Sequence, residues 1–158
     1  MTRSGIGYDA HRLIAGRKLV LGGVEIPHPL GLDGHSDADV LCHAIADALL
    51  GAIGSPDIGH HFPNTDESIR GISSIDILQR VAGVLKQAKA RPVNIDATLI
   101  AEAPKIAPHI PAMREKIAAA LTMAEADISI KATTNEGLGS IGRGEGMAAM
   151  AVAAVAID

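Results

Sequence analysis

Aromatic residues are almost absent from this chain of 158 residues, which has one Phe, one Tyr and no Trp. Their scarcity argues against an aromatic platform for stacking single-stranded nucleic acid and against a protein interface anchored by aromatic side chains. The core must therefore consist of Ala, Val, Ile and Leu, which bury less apolar area per residue. Oligomerisation would be a natural supplement to such a core.

Cysteine, positive charge in excess and long apolar runs are also lacking. Cys42 is the only cysteine, which excludes an intramolecular disulfide and permits a reducing compartment, so we expect a cytoplasmic protein. The net charge of −4 disfavours broad binding to nucleic acid or to an anionic membrane. No apolar run approaches the ~18–20 residues of a membrane span, and Thr2 and Arg3 are followed by glycines rather than by the apolar part of a signal peptide.

The patterning predicts a folded chain of the α+β class. With 47% hydrophobic and 20% charged residues a core is expected, and the length suits one domain at roughly 100–200 residues per domain. Apolar periodicity predicts strands at 5–11, 18–26 (interrupted at Gly22–Gly23), 93–99, 128–133 and 147–157, and helices at 36–50, 75–85 and 111–123. Ser36 is predicted to cap the first helix, and 27–31 and 55–74 are predicted loops. This order favours one sheet with helices on one face.

Asp9 and His11 are the first candidate metal ligands. Residues two apart in a strand point to the same face, so the carboxylate and the imidazole would project side by side and suit a cation such as zinc. A plain surface polar pair is the alternative interpretation.

His43 lies in an otherwise apolar helical segment and strengthens the metal interpretation. Asp47 is four residues further on, on the same helix face, where a carboxylate behind a metal-binding histidine is usual. Asp9, His11 and His43 together would make a site with three protein ligands and one open position, which is the pattern of catalytic zinc. A hydrogen-bonded core histidine is the alternative.

Two further segments could bind phosphate. At 35–39, backbone N–H groups of a helix start could bind phosphate with His35 as a donor, although the same residues also read as an acidic helix cap. At 131–146, hydroxyls and close glycines could cradle phosphate, and Glu136 could hold a second divalent ion. An ordinary polar turn is the alternative there.

Two more segments are compatible with parts of a nucleotide or a sugar. Residues 101–107 could present backbone groups to a flat base, and the acidic loops at 57–59 and 62–66 could hydrogen-bond a polyol. Each is uninformative by itself, since a solvated loop has the same composition.

Taken together, these segments resemble the 2-C-methyl-D-erythritol 2,4-cyclodiphosphate synthase family. The resemblance rests on motifs whose order and spacing span almost the whole chain: Gly7-Tyr8-Asp9-Ala10-His11, His35-Ser36-Asp37-Ala38-Asp39-Val40, the helical His43, Asp57-Ile58-Gly59, Phe62-Pro63-Asn64-Thr65-Asp66, Ala103-Pro104-Lys105, Ala132-Thr133-Thr134 and Gly142-Arg143-Gly144-Glu145-Gly146.

The resemblance implies a fold, an assembly and a reaction. It implies a single catalytic domain over 1–158, with a ferredoxin-like two-layer α+β fold and a mixed sheet, and a homotrimer with active sites between neighbouring subunits. It implies cyclisation of 4-diphosphocytidyl-2-C-methyl-D-erythritol 2-phosphate to the 2,4-cyclodiphosphate with release of CMP, a step of the non-mevalonate isoprenoid pathway.

The resemblance also implies roles for individual residues. Asp9, His11 and His43 would bind zinc, Glu136 would hold a magnesium or manganese ion on the diphosphate, and His35 and Thr134 would stabilise the transition state. Residues 101–107 and 133–136 would hold cytidine, 57–59 and 62–66 the methylerythritol, and Arg143 would contact ligand near the trimer axis. The full set expected to bind substrate is Asp9, Ala10, His11, His35, Ser36, Asp57, Ile58, Gly59, Phe62, Pro63, Asn64, Thr65, Asp66, Ala101, Glu102, Ala103, Pro104, Lys105, Ile106, Ala107, Thr133, Thr134, Asn135, Glu136 and Arg143.

The chain departs from the family pattern at three positions. Asn64 stands where Asp is expected, Asn135 where a third Thr is frequent, and Ser140 where Phe is frequent. Two other functions remain as alternatives: a metal-dependent phosphoesterase that uses a zinc-bound water, and a trimer that binds nucleotide or metal without catalysis.

Overall fold

A mixed five-stranded sheet forms the centre of the protein, whose computed structural model describes residues 1–158. Its strands are β1 (Thr2–Ala15), β4 (Leu30–Leu32), β5 (Ala90–Ile100), β6 (Ile128–Thr133) and β7 (Gly146–Ile157). The order across the sheet is β4-β1-β7-β5-β6, and the β5–β6 pair alone is parallel. The expected strand at 18–26 is instead a separate hairpin of β2 (Leu19–Leu21) and β3 (Val24–Ile26), because Gly22 and Gly23 both have positive φ and turn the chain back.

The helices are α1 (Val40–Ala52), α2 (Ile58–His61), α3 (Ser74–Gln87), α4 (Ile110–Leu121) and α5 (Gly139–Gly142), with short 3-10 turns at Glu67–Ile69, Ala107–His109 and Glu125–Asp127. Helix α1 is buried along most of its length and packs on β1, β7 and β5. The 55–74 segment, which the sequence predicts to be a loop, instead contains α2 and one 3-10 turn. None of the helices is both long and apolar enough to cross a membrane.

Helix α1 does not begin where the sequence predicts. Ser36 Oγ accepts a hydrogen bond from the backbone N–H of Ala38, and Ala38 has a φ of 56°, so the chain turns before the helix can start. Asp39 is the N-cap instead and accepts from the N–H of Cys42. The same buried carboxylate accepts from Gly22 N, Gly23 N and Ser74 Oγ, which ties α1 to the β2–β3 turn and to the start of α3.

The two faces of the sheet differ sharply. Gly5 and Gly7 of β1 lie against α1 so closely that a Cβ would come 2.0 Å from the Ala48 carbonyl oxygen and 1.9 Å from that of Ala44. The alternate residues point the other way and are exposed, although they are large and apolar: Ile6 (67%), Tyr8 (60%), Met150 (44%) and Val152 (48%). The helices thus cover one face and leave an apolar patch on the other.

Candidate functional site

Asp9, His11 and His43 meet where β1 passes under α1. Asp9 and His11 share with Gly5 and Gly7 the strand face that α1 covers, and His43 lies in the first turn of that helix. His11 Nε2 lies 3.1 Å and His43 Nδ1 3.0 Å from the same oxygen of Asp9, and the three ligand atoms all lie within 4.8 Å of one another. Strand parity thus predicted the Asp9–His11 pair correctly, and the two elements bring His43 to it.

A second contact orients each imidazole ring. His11 Nδ1–H donates to the carbonyl oxygen of Asp33 at 2.5 Å, which leaves Nε2 facing Asp9. His43 Nε2 hydrogen-bonds with Ser36 Oγ at 3.2 Å, which leaves Nδ1 facing Asp9. Outer contacts of this kind fix the tautomer and direction of metal-binding histidines. One carboxylate oxygen and two imidazole nitrogens directed at one point are a donor set that fits zinc.

The electrostatics keep the carboxylate of Asp9 ionised. Burial acts to raise its pKa, but hydrogen bonds to His11 and His43 and the charges of both rings outweigh burial and lower the pKa to about 2. The hydrogen bond to Asp9 in turn raises the pKa of His11, against the opposing effect of burial. A carboxylate that is ionised at neutral pH is the form that binds a cation.

Asp47 makes no hydrogen bond to His43, whose ring nitrogens bond to Asp9 and Ser36, and this corrects the expectation that the Asp47 carboxylate stands behind the histidine. Asp47 Oδ1 accepts a hydrogen bond from the backbone N–H of Ile58 at 2.8 Å and so holds the start of α2 against α1. Ser36 takes the place beside His43 that was expected for Asp47. Burial raises the pKa of Asp47 above the usual range of an aspartate.

A cavity of about 210 Å³ opens beside the three ligands. Its wall includes all three ligands together with Gly34, His35, Ser36, Ile58, Gly59, Phe62, Asn64, Ile69, Ile72 and Ile77. His35 Nε2 is buried here and has no hydrogen-bond partner within the protein. The cavity thus joins the metal candidates, the 35–36 segment and part of the 57–66 region, whereas Asp57, Pro63, Thr65 and Asp66 lie outside its wall.

The two aspartates of that loop cap short helices instead. Asp57 accepts from the N–H of His60 at 3.0 Å, and Asp66 accepts from the N–H of Ser68 at 2.9 Å. They position the polypeptide around Ile58, Gly59 and Asn64. Nothing in the sequence indicated Gly34, Ile69, Ile72 or Ile77 in the wall, because an apolar or glycine residue carries no chemical signature of a site.

A second cavity, of about 240 Å³, lies at the carboxyl ends of β5 and β6. It is lined by Ala101, Glu102, Pro104, Lys105, Ile106, Ala107, Ala132, Thr133 and Thr134, as the pairing of segments 101–107 and 133–136 predicts, although Ala103, Asn135 and Glu136 are outside the wall. Glu102 Oε1 accepts from the N–H groups of Asn135 and Gly137, both at 3.1 Å, and so fastens the two segments together. The two cavities share no residue.

The turn after β6 carries the remaining candidates. Thr134 Oγ1 accepts from the N–H of Glu136 at 3.1 Å, and Glu136 has a φ of 52° and an exposed carboxylate without an ion-pair partner. Arg143 is exposed and pairs with Glu145 at 3.3 Å. Ala10 lines a third cavity with Ser140 and Glu145, and this cavity shares His11 with the first. Within one chain, these residues are not part of the wall beside His43.

Known proteins of one family are similar to this chain over nearly its whole length. A profile of the YgbB family matches residues 2–156. A protein of Symbiobacterium thermophilum named 2-C-methyl-D-erythritol 2,4-cyclodiphosphate synthase is 60% identical over 152 residues, 96% of this chain and 97% of the relative. One of the same name from Alkaliphilus metalliredigens is 58% identical, over 97% of this chain and 96% of the relative.

A solved structure adds the same likeness in three dimensions. The structure described as the Plasmodium falciparum IspF CDP complex superposes with a TM-score of 0.87 at 32% identity, over 99% of this chain and 97% of that chain. The motifs, the fold and these relatives agree, and the chain belongs to the YgbB family.

Proposed function

We propose that this protein cyclises 4-diphosphocytidyl-2-C-methyl-D-erythritol 2-phosphate to 2-C-methyl-D-erythritol 2,4-cyclodiphosphate and releases CMP, as a phosphorus–oxygen lyase of the non-mevalonate isoprenoid pathway. The observation that carries the proposal is the convergence of Asp9, His11 and His43 on one point at the wall of a cavity. The names of the relatives from Symbiobacterium and Alkaliphilus give the product, and the resemblance to their family implies the substrate.

The metal proposed for the first cavity is zinc. Asp9, His11 and His43 would hold it, because their donor atoms and the partners that orient them fit its preferences. When bound there, zinc would polarise a phosphoryl oxygen and make the phosphorus more electrophilic.

A second divalent ion, magnesium or manganese, is proposed at Glu136. A single exposed carboxylate without an ion-pair partner suits an ion that keeps water ligands and takes its other ligands from phosphate oxygens. Two cations also explain how a chain of net charge −4 would hold so anionic a substrate.

The chemistry needs no nucleophile from the protein. An oxygen of the substrate's 2-phosphate would bond to the β-phosphorus, the bond from that phosphorus to the oxygen of the α-phosphate would break, and CMP would leave with the electron pair. Holding both ends of a flexible chain in one place removes the entropic barrier to closing the ring. The protein's task is therefore to position groups and to stabilise charge.

His35 and Thr134 are the residues proposed to stabilise charge in the transition state. The buried Nε2 of His35 has no partner in the protein and lies in the wall beside the metal ligands, so it is free to bond a phosphate oxygen. The Thr134 hydroxyl oxygen already accepts from Glu136 N, which leaves its hydrogen free to donate.

The substrate would occupy both cavities. The methylerythritol would lie against Asp57–Gly59 and Phe62–Asp66, and cytidine against 101–107 and 133–136. The dimensions of the second cavity and the CDP complex of the Plasmodium falciparum relative support this placement of the nucleotide.

A homotrimer of ferredoxin-like subunits is proposed as the active form, each chain acting as a single catalytic domain over residues 1–158. The two cavities of one chain share no residue, and one substrate would bridge the first cavity of one chain and the second cavity of its neighbour. The exposed patch of Ile6, Tyr8, Met150 and Val152 is the surface that neighbours would cover.

Phosphorus NMR tests the proposal directly. The purified chain with zinc, magnesium and the cytidyl substrate should give CMP and two coupled signals of a cyclic diphosphate. A linear product that has incorporated water would support a phosphoesterase instead, and binding of CDP without any product would support a protein that only binds nucleotide.

Variants and mass measurements complete the test. His43→Ala should lose zinc and turnover, whereas His28→Ala, in the loop between β3 and β4 and outside the first cavity, should keep both. Sedimentation should give about three times 16.2 kDa, and a mass of 16.2 kDa at micromolar concentration would contradict the trimer.

A further inference from the structure

We propose that Arg17 is a positioning residue for the proposed reaction, which holds the loop that carries His35 and Ser36 into the first cavity. Arg17 lies between β1 and β2, outside the wall of that cavity. Its partly buried guanidinium donates from Nη1 to the carbonyl oxygen of Gly34 at 2.9 Å and from Nη2 to that of Ser36 at 2.8 Å. The inference rests on the proposed function for its kinetic consequences.

The loop of residues 33–36 is held through its carbonyl oxygens. It belongs to no helix or strand, yet all four carbonyls have a partner: Asp33 O accepts from His11 Nδ1, His35 O from Gly71 N, and the other two from Arg17. The two bonds from Arg17 are charge-assisted and therefore stronger than neutral ones.

The loop of residues 33–36 contacts the proposed metal ligands and forms part of the wall of the first cavity. It presents the unpartnered Nε2 of His35 to the cavity, and it places Ser36 Oγ beside His43 Nε2. It also packs on the ring of His11, since a Cβ on Gly34 would come 3.0 Å from His11 Cε1. A displacement of the loop would therefore move His35 and loosen the orientation of two metal ligands at once.

The side chain at position 17 has to be arginine for this purpose. A planar guanidinium can span two carbonyls that are two residues apart, whereas the ammonium of lysine is a single point of charge. Lys18, the next residue, is the matched control, because its side chain is 76% exposed and pairs only with Glu25 across the β2–β3 hairpin.

The kinetic experiment compares Arg17→Ala, Arg17→Lys and Lys18→Ala in the zinc-loaded protein with the cytidyl substrate. Because cytidine is proposed to bind elsewhere, Arg17→Ala should lower kcat about 100-fold and change KM much less. Arg17→Lys should also be impaired, and Lys18→Ala should match the wild type. Equal kcat values for Arg17→Ala and Lys18→Ala would overturn the proposal.

Chemical rescue separates positioning from a merely structural role. Guanidinium ion at low millimolar concentration should restore part of the kcat of Arg17→Ala, and should do nothing for Arg17→Lys, in which the site is filled. A variant that loses only thermal stability, or whose lost kcat guanidinium does not restore in part, would show that Arg17 merely stabilises the fold.

Two readouts do not depend on turnover. Competition with a chromophoric chelator should show zinc bound about 10-fold more weakly in Arg17→Lys, and the amide of Gly71, which donates to His35 O, should exchange faster. If the wild type fails to cyclise the substrate, the proposed function falls while these two measurements still decide the role of Arg17. Unchanged zinc affinity and unchanged exchange would refute it.

Discussion

Gly7 of β1 rests directly on the backbone of Ala44 in α1, at a distance that would leave a Cβ only 1.9 Å from the Ala44 carbonyl oxygen. Asp9 follows Gly7 by two residues on the same strand face, and His43 precedes Ala44, so this contact sets the separation between Asp9 and His43. The missing side chain of Gly7 is thus what lets a carboxylate from the strand reach an imidazole from the helix at 3.0 Å.

Gly7→Ala should consequently damage both the fold and the metal site. The added methyl group meets backbone rather than a mobile side chain, so we expect a loss of about 3 kcal/mol or more in the free energy of unfolding, with weaker zinc binding in whatever folds. Gly83→Ala, in the middle of α3 with nothing within 4 Å of the new Cβ, should instead add up to about 1 kcal/mol. Denaturant unfolding measures both, and similar effects of the two substitutions would contradict the tight contact.

Ser36 and Asp47 give a direct comparison of the two candidate partners of His43. Ser36→Ala removes the group that hydrogen-bonds with Nε2, so zinc affinity should fall about 10- to 100-fold. Asp47→Asn keeps an oxygen for the Ile58 N–H and removes no hydrogen bond from His43, so its zinc affinity should stay close to the wild-type value. Chelator competition distinguishes them, and the reverse order would restore Asp47 as the partner.

Asp37 should give the protein a characteristic dependence on pH. Burial and the charge of Asp39 raise its pKa above 3.8, so between that value and its raised pKa the folded state binds more protons than the unfolded state. As the pH falls from neutral towards about 4, this group therefore adds to the stability. Asp37→Asn removes the contribution, so the wild type should gain stability relative to the variant over this interval. Urea unfolding with a chelator present in both samples measures the difference, and a constant difference would contradict the shift.

Glu102 should strengthen nucleotide binding, because it joins the 101–107 segment to the turn after β6. Glu102→Ala loses the bonds to Asn135 N and Gly137 N and should weaken binding of CDP about 10-fold or more, since each hydrogen bond contributes roughly 0.5–1.5 kcal/mol. Glu102→Gln keeps an acceptor oxygen and should retain most of the affinity, and Glu115→Ala on the exposed side of α4 should retain all of it. Titration calorimetry with CDP and magnesium tests this, and equal affinities of the two alanine variants would refute it.

Parity and periodicity predicted much of the site, because they depend only on which residues share a face. They placed Asp9 beside His11, whereas the association of 101–107 with 133–136 came from the family resemblance. They failed for Asp47, since helical spacing gives the direction of a side chain but not its partner, and a backbone N–H at Ile58 lies within reach. Arg17 had no signal at all, because the carbonyls that it binds are common to every residue type.

Because the two cavities share no residue, two variants that each damage a different cavity should complement one another in a mixed assembly. His43→Ala would spoil one cavity of every copy, and Glu136→Ala the neighbourhood of the other, so either preparation alone should be inert. When the two variants are co-expressed, the intact first cavity of one chain would lie beside the intact second cavity of its neighbour. If the two variants assemble at random into a cyclic oligomer, about a quarter of the sites between neighbouring chains would have both cavities intact. The mixture should therefore recover about a quarter of the wild-type rate. No recovery at all would mean that each chain carries a complete site by itself.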